Sequence, residues 1–297
     1  MEANECAIKI ARKFGHAKGI EVPNIIVLKH AFHGRSIATL SATGNPSVRE
    51  DFSPYTEGFI FVDESDLDGI RKIVEENKNV VAIFFEPILG EGGVVPVDLS
   101  VIKGIREICD EHDLLMMCDE VQCGMGRSGK WFAHQWAEIK PDVITMAKGL
   151  AGGVPVGAVV VSKKANIFKP GNHGSTFGGN PLAMRAALET LSIIEDEKLV
   201  ENALEVGKKL KKALSKSLNG FPGVRGIRGK GLMLGIVLDR DAHDILELGL
   251  KAGLTFSVTA GNVIRLVPAL TITKAEADEL VKRITPVIRS FLAQPKI

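Results

Sequence analysis

The sequence predicts an α/β protein, with a mostly parallel central sheet covered by helices on both faces and a smaller C-terminal α+β domain. Three observations carry that expectation. Short β-rich runs alternate with stretches of helical spacing through the first two thirds of the chain, as crossover connections between parallel strands require. One of these runs, Val80-Val81-Ala82-Ile83-Phe84-Phe85, is apolar without interruption, which suits a strand covered on both faces. After Gly220 the texture changes to short strands punctuated by Gly223, Gly226, Gly229 and Gly231. This places a large domain over residues 1–195 and a small one over residues 196–297.

The chain opens on an amphipathic helix, with Ala3, Ala7, Ile10, Ala11 and Phe14 on one face. It lacks the basic start and apolar stretch expected of a signal peptide. Residues 24–28 and 58–62 read as strands, 67–77 as a helix, and 80–86 as the buried strand already noted. A helix over 99–112 follows, then strands over 114–119, 142–146 and 156–162. Asn180 is a good cap and Pro181 suits a first helical position, so a helix begins there. It continues, with a break, through a Lys/Glu-rich solvated stretch to about Leu218. Strands over 232–238 and 263–267 and a helix from Lys274 to about Leu292 complete the small domain.

Composition narrows the partners. The 297 residues carry 37 Lys plus Arg against 36 Asp plus Glu, a net charge of +1, with no basic stripe to neutralise phosphates or dock on an acidic membrane. An apolar fraction of 45% and a charged fraction of 25% exclude disordered and collagen-like classes. No apolar run approaches the roughly 18 residues of a membrane helix. The four cysteines, Cys6, Cys109, Cys118 and Cys123, form no CxxC pair and read as reduced thiols of a cytoplasmic protein.

In open α/β sheets ligands lie beyond the carboxyl ends of the strands. Four such ends carry polar groups: Glu86, then Asp119 with Glu120, then Lys148, then the run His173-Gly174-Ser175-Thr176-Phe177-Gly178-Gly179-Asn180. Strand-end carboxylates are often structural, but an acid and a lysine together also suit pyridoxal phosphate. That cofactor needs a lysine to condense with its aldehyde, a carboxylate to favour the protonated ring nitrogen, and donors for its phosphate. Lys148 and Asp119 could supply the first two, and Ser175 and Thr176 the last. Cys118, Cys123 and His134 lack a fourth ligand at zinc spacing, so no metal site is expected. Gly124, Gly126 and Gly129 read as a flexible surface loop, and Arg127 either as a salt bridge or as a site or dimer residue. His33 and His173 read as turn residues that hydrogen-bond to backbone.

Six motifs stand in order: Phe32-His33-Gly34-Arg35, Glu86-Pro87-Ile88-Leu89-Gly90-Glu91-Gly92-Gly93, Asp119-Glu120-Val121-Gln122, Gly124-Met125-Gly126-Arg127, Ala147-Lys148-Gly149-Leu150, and the run from His173 through Pro181-Leu182. Together they resemble the class III (subgroup II) aminotransferases that use pyridoxal 5'-phosphate, and most closely their acetylornithine branch. The resemblance implies the fold type I architecture of those transferases. It implies that Lys148 is the cofactor lysine and general base, that Asp119 pairs with the ring nitrogen, and that Gln122 contacts the ring hydroxyl side. Val121 and Phe32 would sandwich the ring, Glu120 would join the cofactor contacts, and Thr176 would reach the phosphate from the neighbouring subunit of a homodimer. Arg35 and Ser175 would contact the acylated substrate, Arg265 would bind a substrate carboxylate, and Glu91 would gate that arginine.

The implied reaction moves the distal amino group of N-acetylornithine to 2-oxoglutarate, giving N-acetylglutamate 5-semialdehyde and glutamate in arginine biosynthesis. Alternatives stay open: a related omega-aminotransferase for ornithine, succinylornithine, 4-aminobutyrate or a lysine precursor, or a catalytically incompetent remnant. A metal-dependent hydrolase using Asp119, Glu120 and Glu86 would leave Lys148 and the 173–180 run without roles. The family pattern also carries a Ser-Gly-Thr-Glu-Ala-Asn loop for the phosphate. Here Met1 stands where its Thr would be, so an N-terminal part is expected to be absent, either from the protein itself, with weak cofactor retention and poor solubility or weak activity, or because the sequence is a partial one of an ordinary enzyme.

Overall fold

Helix α1 (Glu2–Ala17) buries Ala3, Asn4, Ala7, Ile8, Ala11 and Phe14, residues recurring at three- and four-residue spacing, so a single stripe faces inward. The structure, a computed structural model, describes residues 1–295. The chain continues through β1 (Asn24–Leu28), the short helices α2 (Ile37–Ala42) and α3 (Pro46–Arg49), β2 (Phe59–Val62), α4 (Leu67–Glu76), β3 (Val80–Phe85) and the two-residue β4 (Ile88–Leu89). Next come β5 (Val95–Pro96), α5 (Leu99–Glu111), β6 (Leu115–Asp119), a 3₁₀ turn over Ala133–Ala137, β7 (Val143–Met146), a 3₁₀ turn over Lys148–Ala151, β8 (Ala158–Val161) and α6 (Pro181–Asp196). The remainder is α7 (Leu199–Leu218), β9 (Val224–Lys230), β10 (Met233–Leu238), α8 (Ile245–Lys251), β11 (Ser257–Thr259), β12 (Val263–Leu266) and α9 (Lys274–Ala293).

The residues group into two compact units. The first comprises Met1–Leu89, Val97–Met125 and Phe132–Ser192, and the second Gly90–Pro96, Gly126–Trp131 and the chain from Ile193 onward.

The first unit is built on a six-stranded sheet of order β2-β1-β3-β6-β7-β8. Its strands are parallel except β8, which runs antiparallel to β7. All six residues of β3 and all five of β6 are buried, so both strands are covered on both faces. The stripe of α1 packs on Ile25, Val27, Ala82, Phe84, Leu115 and Met117. Alternate strand residues point the other way, and α5, which shares none of that cluster, packs against β3 and β6 from that side. Helix α6 starts as its sequence dictates: Asn180 Oδ1 accepts from the Ala183 amide at 2.9 Å, with Pro181 in the first turn.

The second unit holds a four-stranded antiparallel sheet of order β11-β12-β10-β9. Helices α7 and α9 bury Leu210, Leu214, Ile284 and Ile288 against Leu234, Ile236 and Ile264 of that sheet. Thr273 and Glu276 cap α9 reciprocally.

Two expectations are corrected here. The stretch 124–129 is not a surface loop, since Gly124, Met125, Gly126, Ser128 and Gly129 are buried. Gly126 and Gly129 take φ of 83° and 84°, and a Cβ on Gly129 would sit 3.0 Å from Leu204. Glycine is used there for close approach. For Arg127, read either as a salt-bridge residue or as a site or dimer residue, the salt-bridge alternative gives way to donation to the carbonyls of Leu232 and Pro268. Burial among backbone groups pushes its guanidinium down to about 10.

No helix among the described residues is long and apolar enough to cross a membrane. Those residues also contain no group of three or more His, Cys, Asp or Glu that could hold a metal ion.

Candidate active site

Asp119 ends β6 and Lys148 follows β7, its parallel neighbour, so the carboxyl ends of two adjacent strands deliver an acid and an amine to one edge of the first unit. A cavity of about 430 Å³ opens there. Phe32, Arg35, Asp119, Val121, Gln122 and Lys148 all line it, so six of the residues anticipated from sequence come together. Lys148 is exposed and adopts φ of 41°, a left-handed conformation rare for a side-chain-bearing residue, as the chain turns sharply out of β7. Arg35 lies over the Phe32 ring, 5.8 Å from its centre.

Asp119 is only 2% exposed, and three donors satisfy its carboxylate. Oδ1 accepts from the Val121 amide at 3.0 Å, and Oδ2 accepts from Asn4 Nδ2 at 2.7 Å and lies 2.8 Å from His33 Nδ1. A carboxylate cannot donate when ionised, so the His33 nitrogen facing it carries the proton. The His33 ring is stacked on Phe84 at 4.1 Å. This overturns the reading of His33 as a turn residue bonded only through backbone. Its amide does bond Thr43 Oγ1 at 3.0 Å, but its ring belongs to Asp119. His173 is exposed, just past the turn at 170–171, with its ring Nδ1 3.1 Å from Lys9 Nζ.

Asn4 was not singled out from sequence. The available signal was an amide among Ala3, Ala7, Ile8 and Ala11, since a polar residue in an apolar stripe needs a buried partner. Asn4 Nδ2 also donates to the His33 carbonyl at 2.7 Å, tying α1 to the loop after β1. Glu86, at the end of β3, accepts from the Phe32 amide at 2.8 Å and so orients that same loop.

Three anticipated residues of the first unit do not line this cavity. Glu120, adjacent to Asp119, points away because successive residues alternate sides. Its fully buried carboxylate accepts from the Ala133 and His134 amides at 2.9 and 2.8 Å and from Cys123 Sγ at 3.2 Å, with His134 Nδ1 2.9 Å away. Ser175 and Thr176 lie in an exposed segment and do not line the cavity.

Glu91 and Arg265 belong to the second unit and pair there, with Arg265 Nη1 2.6 Å from Glu91 Oε1.

The first-unit cavity fits pyridoxal phosphate. Its wall combines an amine, a buried carboxylate held by three donors, and the apolar side chains of Phe32 and Val121. Two buried polar atoms of lining residues, Asn4 Oδ1 and His33 Nε2, have no protein partner. Its size is typical of sites for small molecules.

Comparisons with known proteins agree with this geometry. A family model described as aminotransferase class-III matches residues 1–288. The chain is 49% identical over 294 residues to acetylornithine aminotransferase 1 of Bordetella bronchiseptica, covering 99% of this chain and 75% of that protein. The crystal structure of ornithine aminotransferase from Toxoplasma gondii superposes with a TM-score of 0.93 at 34% identity, covering 98% of this chain and 71% of that one. N-acetylornithine aminotransferase from Stenotrophomonas maltophilia superposes at 0.82 and 34% identity, covering 98% and 73%. With a family match that runs almost from end to end and relatives this similar over nearly all of its length, the chain belongs to the class III aminotransferases.

Proposed function

We propose that this chain transfers the distal amino group of N-acetylornithine to 2-oxoglutarate, with pyridoxal 5'-phosphate as cofactor, yielding N-acetylglutamate 5-semialdehyde and glutamate. The single observation carrying this reading is the shared cavity of Lys148 and the buried, triply bonded Asp119. The name borne by the 49% identical Bordetella relative supplies the amine donor.

Lys148 would hold the cofactor through its amine, and Asp119 would pair with the ring nitrogen, a charge favoured by the nearby carboxylate. Phe32 and Val121 would pack on the ring, and Gln122 would contact the side bearing its hydroxyl. When bound, the cofactor supplies an electron sink for the charge left on the substrate carbon as its proton departs. Lys148 Nζ would take up that proton as general base and give it back as general acid. The donors around Asp119 fix its carboxylate, so the site's electrostatics are in place before substrate arrives. Arg35 would contact the acyl group of the donor. Arg265 would bind a substrate carboxylate through its planar fork, with Glu91 occupying that fork when the substrate offers no carboxylate.

The functional unit proposed here is a homodimer, in which Ser175 and Thr176 of one copy serve substrate and cofactor phosphate in the other. The exposed apolar side chains of Phe177, Leu182 and Leu188, at 82%, 73% and 61%, support a covered face around that segment. Residues 1–195 would form the large cofactor-binding domain and 196–297 the small domain. Four cysteines without a disulfide support a cytoplasmic location.

The test is an absorbance titration with pyridoxal phosphate followed by a screen of amine donors against 2-oxoglutarate. A bound-cofactor band that Lys148→Ala abolishes, with N-acetylornithine the best donor, is the expected result. Absence of any Lys148-dependent band would sink the reading, and a preference for ornithine or 4-aminobutyrate would replace the donor.

A further inference from the structure

Two hydroxyls on one short strand hold both halves of the Glu91–Arg265 pair. Ser257 and Thr259 stand two residues apart on β11 and therefore face the same side. Ser257 lies opposite Arg265 in the β11–β12 ladder, and its Oγ accepts from Arg265 Nε at 3.0 Å. Thr259 is buried and its Oγ1 donates to the main-chain carbonyl of Glu91. A further bond fixes the same loop from β9, where Arg228 Nε donates to the Gly93 carbonyl at 2.8 Å.

The loop's own conformation leaves it little freedom. Gly93 and Val94 take φ of 102° and 56°, and a Cβ at Gly93 would come within 2.6 Å of Arg228 Nη2. The main chain is tied at Glu91 and again two residues later, whereas the Glu91 side chain keeps 37% exposure. The movable part is the carboxylate arm, not the loop that carries it.

We propose that Ser257 and Thr259 are positioning residues that set selectivity between dicarboxylate and monocarboxylate substrates. Thr259 fixes the main chain from which Glu91 swings, and Ser257 keeps the Arg265 guanidinium oriented after Glu91 leaves. An incoming dicarboxylate thus meets a prepared fork. The inference rests on the roles given above to Glu91 and Arg265. It predicts opposite effects from the two hydroxyls. Without that of Thr259, Glu91 loses its anchor, grips Arg265 less well, and a dicarboxylate competes more easily. Without that of Ser257, Arg265 loses its orientation and a dicarboxylate competes less well.

The experiment titrates glutarate, a non-reacting dicarboxylate, into the full chain loaded with pyridoxal phosphate, by calorimetry. Thr259→Val is expected to lower the glutarate Kd and Ser257→Ala to raise it, each by about three- to tenfold, the range one hydrogen bond is worth. Thr259→Ser, which keeps the hydroxyl, is expected to bind as the wild type; a shift like that of the valine variant would overturn the proposal. Movement of both hydroxyl variants in the same direction would also overturn it. Glu91→Gln in the same titration separates the two readings. If Glu91→Gln shifts glutarate binding and neither hydroxyl variant does, the positioning proposal fails alone. If Glu91→Gln changes nothing, the gate fails and this proposal with it.

Discussion

The ring of His33 lies 2.8 Å from Oδ2 of Asp119 with both side chains sealed from water, so the acid at the end of β6 has a partner 86 residues away in the chain. A hydrogen bond to a charged group contributes about 1.5–3 kcal/mol. His33→Leu removes it while filling the space against Phe84. The expected outcome is a rise of about ten- to a hundredfold in the Kd for pyridoxal phosphate, read by equilibrium absorbance or fluorescence titration. An unchanged Kd would mean that Asn4 and the Val121 amide hold Asp119 sufficiently by themselves.

Glu91→Gln keeps the shape of the proposed gate and removes its charge. In single-turnover measurements of each half-reaction, the variant is expected to change the ratio of the N-acetylornithine half to the 2-oxoglutarate half. An equal loss in both halves would count against a gate.

Within the second unit, α7 touches the turn between β9 and β10 at a glycine. A Cβ on Gly207 would lie 2.1 Å from the Gly231 carbonyl oxygen. Alanine is the better helix former by about 1 kcal/mol, but overpacking against rigid backbone costs about 1–3 kcal/mol. Gly207→Ala is therefore expected to lower the urea midpoint. A midpoint at or above the wild-type value would show that the turn can shift.

Three thiols are shut away from solvent, and burial pushes Cys109 up to about 12 from an ordinary 9.0, with Cys118 and Cys123 also raised well above that value. Between these pH values the unfolded chain releases the Cys109 proton and the folded chain keeps it. The folded state therefore binds more protons, and stability, intact below pH 9, falls as pH rises through the window. Cys109→Ala is expected to lose about 1.4 kcal/mol less than the wild type between pH 8 and pH 10 in urea unfolding. Equal losses would place the alkaline sensitivity elsewhere.

The same burial makes a prediction about reactivity, because the thiolate is the nucleophile. With a thiol reagent at pH 8, the native chain is expected to react first at half-buried Cys6, whose own thiol burial raises more modestly, and at all four cysteines only on unfolding. Rapid labelling of Cys123 would contradict its placement against Glu120.

By itself the sequence determined the elements whose signals are local and long enough to repeat. The unbroken apolar run became β3, the Asn180-Pro181 pair opened α6, and the spacing of Ala3, Ala7 and Ala11 made α1 amphipathic. It also placed Asp119 and Lys148 at strand ends, because strand identity fixes which end faces a ligand. Elements with little periodicity to read, such as the six residues of α2, the seven of α8 and the three of β11, were not legible. Neither was the reversed direction of β8, which depends on its connection and not on its own valines. Only the tertiary structure decided that His33 and Asn4 converge on Asp119, that Glu120 turns inward to His134, and that the 124–129 glycines are packed. Each of these is a choice of partner between residues far apart in the chain or on opposite sides of one strand. Local spacing states which residues need a partner, while packing and chain closure select the partner that satisfies them.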